Sequence, residues 1–243
     1  MNDDIDRTDA VRPLRGKEMT RLETFTDAAF AFAVTLLAIS IDEIPDTYNE
    51  LMTALKGAPA FAASFALLLL YWRAHQNWSH RYGLQDLPSV LLTFALVLVI
   101  MIYVYPLKIM FGAAFHFISD GWLPSSFQLD NIHQFQMLVS VFGIGFFTLS
   151  ALIAALYAYA WTKRKPLGMS PAESFDTGAE AIAWTIVGCF GLLSLAMVWL
   201  LPREWLNLST WIYYLLIGFG PVFDHLQRRM ARRKFDELRT ASG

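Results

Sequence analysis

The sequence contains little charge and almost no cysteine. Only 16% of its 243 residues are Asp, Glu, Lys or Arg, and 56% are hydrophobic, whereas about a quarter of the residues in soluble domains are charged. The formal net charge of −2 argues against a nucleic-acid-binding protein. The single cysteine, Cys189, excludes an internal disulfide framework and a multi-cysteine metal site. This composition favours a bundle of membrane-spanning helices with short loops.

Catalytic signatures are also missing from the sequence. It contains no H-E-x-x-H, G-x-S-x-G, P-loop or dinucleotide-binding motif, and Asp27 is the only acidic residue well inside an apolar segment. We therefore expect neither an enzyme nor a bound metal or cofactor. The two halves show no repeat with matching Gly/Pro breaks, which argues against a secondary transporter. The acidic start of the chain argues against a cleavable signal peptide.

Six apolar segments are long enough, or nearly so, to cross a bilayer core of about 30 Å, which takes about 20 helical residues. They are 25–41, 59–78, 88–111, 135–162, 179–201 and 208–223. Pro106 lies near the outer end of the third segment, and we expect that helix to end there, with Lys108 reaching the membrane surface. The sequence thus predicts an all-α polytopic membrane protein, a bundle of six transmembrane helices.

The basic residues predict the orientation of this bundle. All but three of the 19 lysines and arginines (Lys56, Lys108 and Arg203) fall in the two termini and in the second and fourth inter-helix loops. Because basic residues accumulate on the cytoplasmic side, both termini are predicted to be cytoplasmic. The predicted organisation is a cytoplasmic tail (1–20), a six-span domain (21–226) and a basic cytoplasmic tail (227–243). This last tail either binds anionic lipid headgroups or only fixes the topology.

Charged residues at the start of the first span require an explanation, because such groups are costly within a membrane. At about 100° per helical residue, Asp27 falls on the opposite side from a stripe that runs along the helix. The stripe contains Arg21, Phe25, Ala28, Phe32, Thr35 and Ile39, with Leu36 beside it. Asp27 therefore needs a partner on another helix, and Trp72 and His75 share one face of the second span. We expect a buried network of Thr26, Asp27, Trp72 and His75 that fixes the rotation of the first helix.

Two signatures carry a family resemblance. Arg21-x-x-x-Phe25-Thr26-Asp27, followed by Ala-Phe-Ala-Phe-Ala-Val-Thr-Leu-Leu, resembles the R-x-x-x-F-S-D first helix of the transmembrane protein 175 potassium channel family. Trp72-x-x-His75 is similar to the second signature of that family. The signatures cover roughly residues 17–111, and the last three spans match only in number and hydropathy. Thr26 replaces the usual serine and keeps its hydroxyl group.

The resemblance implies a potassium-permeable cation channel without a Thr-Val-Gly-Tyr-Gly filter and without a cofactor. It implies a homotetramer in the cell membrane, whose partners are other copies of the chain, the lipid bilayer and permeant monovalent cations. The first helix, 25–41, would line the pore. Carried over by position, the constriction residues would be Phe32, Thr35, Leu36 and Ile39, and the inter-helix polar clamp would comprise Arg21, Phe25, Thr26, Asp27, Trp72 and His75.

Three questions stay open at this stage. Phe32 stands where family members usually have Ile or Leu. Its rings could plug the pore, leaving a non-conducting scaffold or sensor, or offer their faces to a passing cation; a proton or cation leak pathway is a further alternative. Thr35 either replaces part of the hydration shell of potassium or only bonds the carbonyl group of Ala31. His75 either makes the clamp responsive to pH or stays neutral as a structural group.

Overall fold

The computed structural model describes residues 15–16, 19–39, 45–125, 129–216, 218–220 and 223. Every regular element in these residues is helical. The helices are α1 (Arg21–Ile39), α2 (Tyr48–Lys56), α3 (Ala58–Tyr82), α4 (Leu87–Ile118), α5 (Ile132–Thr162), α6 (Pro171–Leu200) and α7 (Leu208–Trp211), with 3-10 turns at Arg203–Trp205 and Ile212–Tyr214.

Five stretches within the described residues are long and apolar enough to cross a membrane. They are α1, the stretch Tyr48–Tyr82 that contains α2 and α3, and then α4, α5 and α6. This confirms an all-α polytopic membrane protein and the first five predicted spans. The sixth predicted span, 208–223, begins as α7, but it includes residues outside the described part. The six-helix count and the side of the termini therefore stay predictions, and nearly all of the two predicted tails lies outside the described residues.

The structure corrects one boundary and adds one helix. The expected helix end at Pro106 is wrong, because α4 continues through this proline to Ile118. A proline removes only one backbone donor, and packing against neighbouring helices makes this tolerable in a membrane helix. Helix α2 was not predicted. It is short, and the hydroxyl of Thr47 caps its start by accepting a hydrogen bond from the backbone N–H of Glu50 at 3.2 Å.

The long helices alternate in direction, so five helix ends meet at one end of the bundle. We call this the basic end: α1, α4 and α6 begin there, and α3 and α5 end there. Ser170 caps α6 through the backbone N–H of Glu173 at 3.1 Å. Gly83 ends α3 with a left-handed φ of 60°, a conformation that glycine adopts without steric cost. This end holds Arg81 and Lys163, and the positive-inside rule predicts that it faces the cytoplasm.

Helices α5 and α6 form the closest helix pair through two glycines. A Cβ atom added to Gly191 would lie 2.5 Å from the carbonyl oxygen of Gly143 and 3.0 Å from the backbone nitrogen of Phe147. A Cβ atom added to Gly143 would lie 2.7 Å from the carbonyl oxygen of Gly191. In a membrane, helices associate mainly through such close packing, because the hydrophobic effect does not drive one apolar helix onto another.

Replacing Gly191 with alanine is therefore expected to destabilise the protein. The added methyl group meets backbone atoms on α5, so the two helices have to separate. We expect the melting temperature of the purified protein in detergent to fall by several degrees, as for a loss of about 1–3 kcal/mol from overpacking. Gly112→Ala on α4 is the matched control, because a Cβ atom there meets nothing within 4 Å. Equal melting temperatures for the two variants would contradict the close contact.

Candidate functional site

The predicted stripe on α1 is exposed in the single chain. Phe32 retains 56% and Ile39 70% of its accessible surface, and Arg21, Ala28 and Thr35 are also exposed. Leu36 is half-buried, with one side packed against the core. The opposite side of α1 is buried through Glu23, Thr26, Phe30, Ala33 and Leu37. Helix α1 thus presents a mostly apolar face, interrupted by one hydroxyl group, to whatever surrounds the chain.

The hydroxyl of Thr35 is oriented by its own helix. Its Oγ1 donates a hydrogen bond to the carbonyl oxygen of Ala31 at 2.9 Å. A hydroxyl group has one donor and two acceptor positions, so this bond uses the proton and leaves the lone pairs of the exposed oxygen available. The two interpretations of Thr35 are therefore compatible. The backbone bond fixes the side chain, and the oxygen can still accept a bond from a donor or coordinate a cation.

The central pair of the predicted polar clamp is present. The indole Nε1 of Trp72 on α3 donates a hydrogen bond to Oδ1 of Asp27 on α1 at 2.8 Å. A charged acceptor strengthens this bond relative to one between neutral groups. Thr26 is buried on the same side of α1, but its Oγ1 bonds the carbonyl oxygen of Leu22 at 2.7 Å within the helix. The Asp27–Trp72 pair therefore fixes α1 against α3.

His75 and Phe25 connect to α4. The buried Nε2 of His75 lies 3.1 Å from Oγ1 of Thr93, so the structure pairs this histidine with α4 and not with Asp27. Phe25 packs edge-to-face against Phe94, with 5.3 Å between ring centroids. The clamp residues thus tie together α1, α3 and α4. Arg21 lies on the exposed side of α1, away from Asp27.

A second set of contacts, which the sequence did not lead us to expect, holds the beginning of α1. Glu23 is buried on the same side of the helix as Asp27, and its Oε1 lies 2.7 Å from Nε2 of His80 near the end of α3. The same helical wheel that singled out Asp27 also puts Glu23 on the inward side, so the sequence did hold a signal for this residue. The pair places another contact between α1 and α3 one turn before Asp27.

Arg15, which precedes α1, reaches across the basic end to α6. Its Nη1 and Nη2 donate to the two carboxylate oxygens of Glu173 at 2.5 and 3.0 Å, and its Nε donates to the carbonyl oxygen of Leu167 at 3.0 Å. The hydrogen bonds to Glu173 raise the pKa of Arg15 above its usual value. This forked geometry is specific to arginine, because lysine lacks the planar pair of donors. No sequence pattern predicts this contact.

Asp86 connects α4 to α5 at the same basic end. Its carboxylate accepts hydrogen bonds from Ser89 at 2.7 Å and from the hydroxyl of Tyr159, and Nζ of Lys163 lies 3.6 Å away. Burial alone would raise the pKa of Asp86, but these hydrogen bonds and the charge of Lys163 lower it overall. These contacts thus join the beginning of α4 to the end of α5 without involving α1.

Comparison with known proteins places this arrangement in a family. The family described as endosomal/lysosomal potassium channel TMEM175 matches residues 21–106, which include both signatures and the exposed stripe. A protein from Marivirga tractuosa named "Potassium channel" is 32% identical over 231 residues, which cover 90% of this chain and 92% of the relative. The chain belongs to the TMEM175 family.

Two solved TMEM175 structures share this fold. One is a crystal structure of a variant of the potassium channel MtTMEM175 bound to a nanobody fusion protein. It is 29% identical, has a TM-score of 0.77 and covers 91% of this chain and 97% of that channel. The other is a homologue, from Chamaesiphon minutus, of the lysosomal potassium-selective channel TMEM175, with 20% identity, a TM-score of 0.57 and coverage of 84% of this chain and 96% of that one. Helices α1 and α3 of this chain, which carry the Asp27–Trp72 pair, lie within the residues that match the TMEM175 family.

Proposed function

We propose that this TMEM175 chain is one subunit of a homotetrameric, potassium-permeable channel of the cell membrane, and that it is not an enzyme. Four α1 helices would line the pore with their exposed stripes. The observation that carries the proposal is that the stripe left uncovered in the single chain lies in the same segment that matches the family. The names of the relative from Marivirga tractuosa and of MtTMEM175 support potassium as the permeant ion.

The constriction in this proposal consists of apolar rings from Phe32, Leu36 and Ile39, with a ring of Thr35 hydroxyl groups between them. A narrow apolar ring excludes water, so ions pass only when the ring widens enough to be wetted. The oxygen of Thr35 would replace part of the hydration shell of a cation within this dry region. No Thr-Val-Gly-Tyr-Gly segment occurs in the sequence, so the selectivity assigned to this pore would not use a carbonyl filter.

The clamp has a mechanical role in the proposal. The Asp27–Trp72 pair joins α1 to α3, and the contact of Phe25 with Phe94 joins α1 to α4. The His75–Thr93 pair joins α3 to α4, so the three contacts together would set which side of α1 faces the axis. The remaining apolar surface of the chain, including Leu98, Ile102 and Leu200, is exposed and suits contact with lipid or with another subunit. The pore face and the supporting face of α1 are therefore separate, and each can be tested by itself.

Potassium flux from proteoliposomes tests the proposal. The wild-type chain is compared with Phe32→Ala, and we expect flux in both, with at least a severalfold increase in the variant because its ring is wider. Phe117→Ala on α4 is the matched control, since Phe117 is similarly exposed but lies outside the stripe. Native mass spectrometry reports the number of subunits for every sample.

The other outcomes distinguish the alternatives. Flux in Phe32→Ala alone would show that phenylalanine plugs the pore. Flux of protons or sodium equal to that of potassium would indicate an unselective leak. If neither protein conducts although both are tetrameric, the channel proposal fails and a scaffold or sensor role replaces it.

A further inference from the structure

The short segment that precedes α1 is attached to three other parts of the chain at the basic end. Gly16 donates its backbone N–H to the carbonyl oxygen of His80 at 3.0 Å. The guanidinium group of Arg15 contacts Glu173 on α6, the carbonyl oxygen of Leu167 in the α5–α6 loop and, at 3.4 Å, the carbonyl oxygen of Arg81 on α3. This one side chain therefore connects the entrance of α1 to both α3 and α6.

The segment fits closely against the end of α3. A Cβ atom added to Gly16 would lie 2.9 Å from the carbonyl oxygen of Ser79, and one added to Gly83 would lie 3.2 Å from the backbone of Arg15 and Gly16. Two glycines thus permit the approach of the two backbones. Arg15 is only about one-fifth exposed and Glu173 is buried, so solvent screens this ion pair much less than it screens a surface pair.

We propose that Arg15 is a positioning residue for ion conduction: by pairing with Glu173 it holds the beginning of α1 and so keeps the exposed stripe of α1 directed at the pore axis. This inference rests on the proposed function, since it assumes that α1 lines the pore. Arg15 does not touch the permeating ion. It acts through α1, whose first turn is also held by the Glu23–His80 contact.

If the Arg15 side chain is removed, a second cationic side chain, that of Arg81, is still close to Glu173. Nη1 of Arg15 contacts both Glu173 and the carbonyl oxygen of Arg81, so Arg81 lies near this carboxylate, and Nε and Nη2 of Arg81 are buried without a hydrogen-bond partner among the described residues. An unpartnered buried donor is costly, so Arg81 is available as a second partner for the carboxylate. A variant that lacks the Arg15 side chain is therefore expected to fold, with Glu173 compensated by Arg81. The beginning of α1 would lose its connection to α6.

Hydrogen–deuterium exchange of the purified tetramer in nanodiscs tests whether Arg15 holds the segment. In Arg15→Gln we expect the Gly16 amide to exchange about tenfold faster, because the charge-assisted forked pair that attaches this segment to α6 is lost. Arg15→Lys keeps the charge but loses the fork, so its exchange should be intermediate. Arg164→Gln is the control, since the side chain of Arg164, at the same basic end, bonds the carbonyl oxygen of Trp161 and stacks on its ring. Exchange that is unchanged in Arg15→Gln overturns the proposal.

Single-channel recording of the same proteins tests the consequence for conduction. We expect Arg15→Gln to lower the open probability about tenfold while unit conductance and potassium-over-sodium selectivity stay the same, because the pore residues themselves are unchanged. A general loss of stability would instead lower the number of active channels and leave the open probability of each remaining channel unchanged. Faster exchange with an unchanged open probability overturns the positioning role. If the wild-type chain does not conduct, the proposed function fails, whereas the exchange measurement still decides whether Arg15 holds α1.

Discussion

Thr35→Ala is expected to abolish the preference for potassium over sodium while the pore still conducts. The substitution removes the exposed oxygen, whose proton already bonds the carbonyl group of Ala31, and leaves no polar group in its place. Without this oxygen no ligand compensates for lost water, so ions pass only when the ring is wide enough for them to keep their hydration shells, and the lower dehydration cost of potassium no longer distinguishes it from sodium. The measurement is the reversal potential under bi-ionic conditions in planar bilayers, which should shift towards zero.

Two controls make the result for Thr35 specific. Thr35→Ser keeps the hydroxyl group and should keep the selectivity. Thr185→Ala removes an exposed threonine on α6 that makes the same kind of backbone bond, to Ala181 at 2.8 Å, and it should leave the reversal potential unchanged. Unchanged reversal potentials in Thr35→Ala would refute the role of this oxygen, and the bond to Ala31 would then be its entire function.

Trp72→Phe should greatly reduce conduction, because it removes the N–H group that holds Asp27. The ring shape is largely kept, but the carboxylate on α1 is left without the donor at 2.8 Å. Leaving a buried polar group unsatisfied costs about 1–3 kcal/mol, and a charged group costs more. That cost is enough for α1 to give up its fixed rotation against α3. We expect at least a tenfold loss of potassium flux, measured on proteoliposomes with equal amounts of protein, together with a lower melting temperature.

A double variant separates the lost hydrogen bond from the changed ring. When Asp27→Leu is combined with Trp72→Phe, no charge remains unsatisfied, so the melting temperature should recover in part. Trp199→Phe is the matched control, since its indole donates to the hydroxyl of Ser140 at 2.9 Å between α6 and α5 and does not involve α1. If Trp72→Phe and Trp199→Phe reduce flux equally, the clamp has no special relation to conduction.

Features that depend on local periodicity could be predicted from the sequence. The exposed stripe of α1 follows from the spacing of side chains along one helix, and the Asp27–Trp72 pair follows from the cost of an unpaired carboxylate in a span. The partner of His75 could not be chosen in this way. Thr93 is one of several hydroxyl groups at a suitable depth, and only the packing of α3 against α4 brings it to 3.1 Å.

The remaining differences have physical reasons as well. Proline usually breaks helices in water, so the expectation that the helix ends at Pro106 put too much weight on this residue. In a membrane an intact helix is the least costly way to satisfy the neighbouring backbone groups. The Arg15–Glu173 pair joins residues 158 positions apart, and neither lies in an apolar segment whose pattern could indicate a partner. Such a contact depends on how all the long helices are arranged.

The distance along the chain between Arg15 and Glu173 also determines when their contact can form during synthesis. A ribosome that adds about 5–20 residues per second needs roughly 8–30 s to make the 158 positions between them. During that time α1, α3, α4 and α5 are made and can enter the membrane, but the start of α1 has no acidic partner on α6. The last connection to the first helix is therefore completed only after most of the protein has been translated.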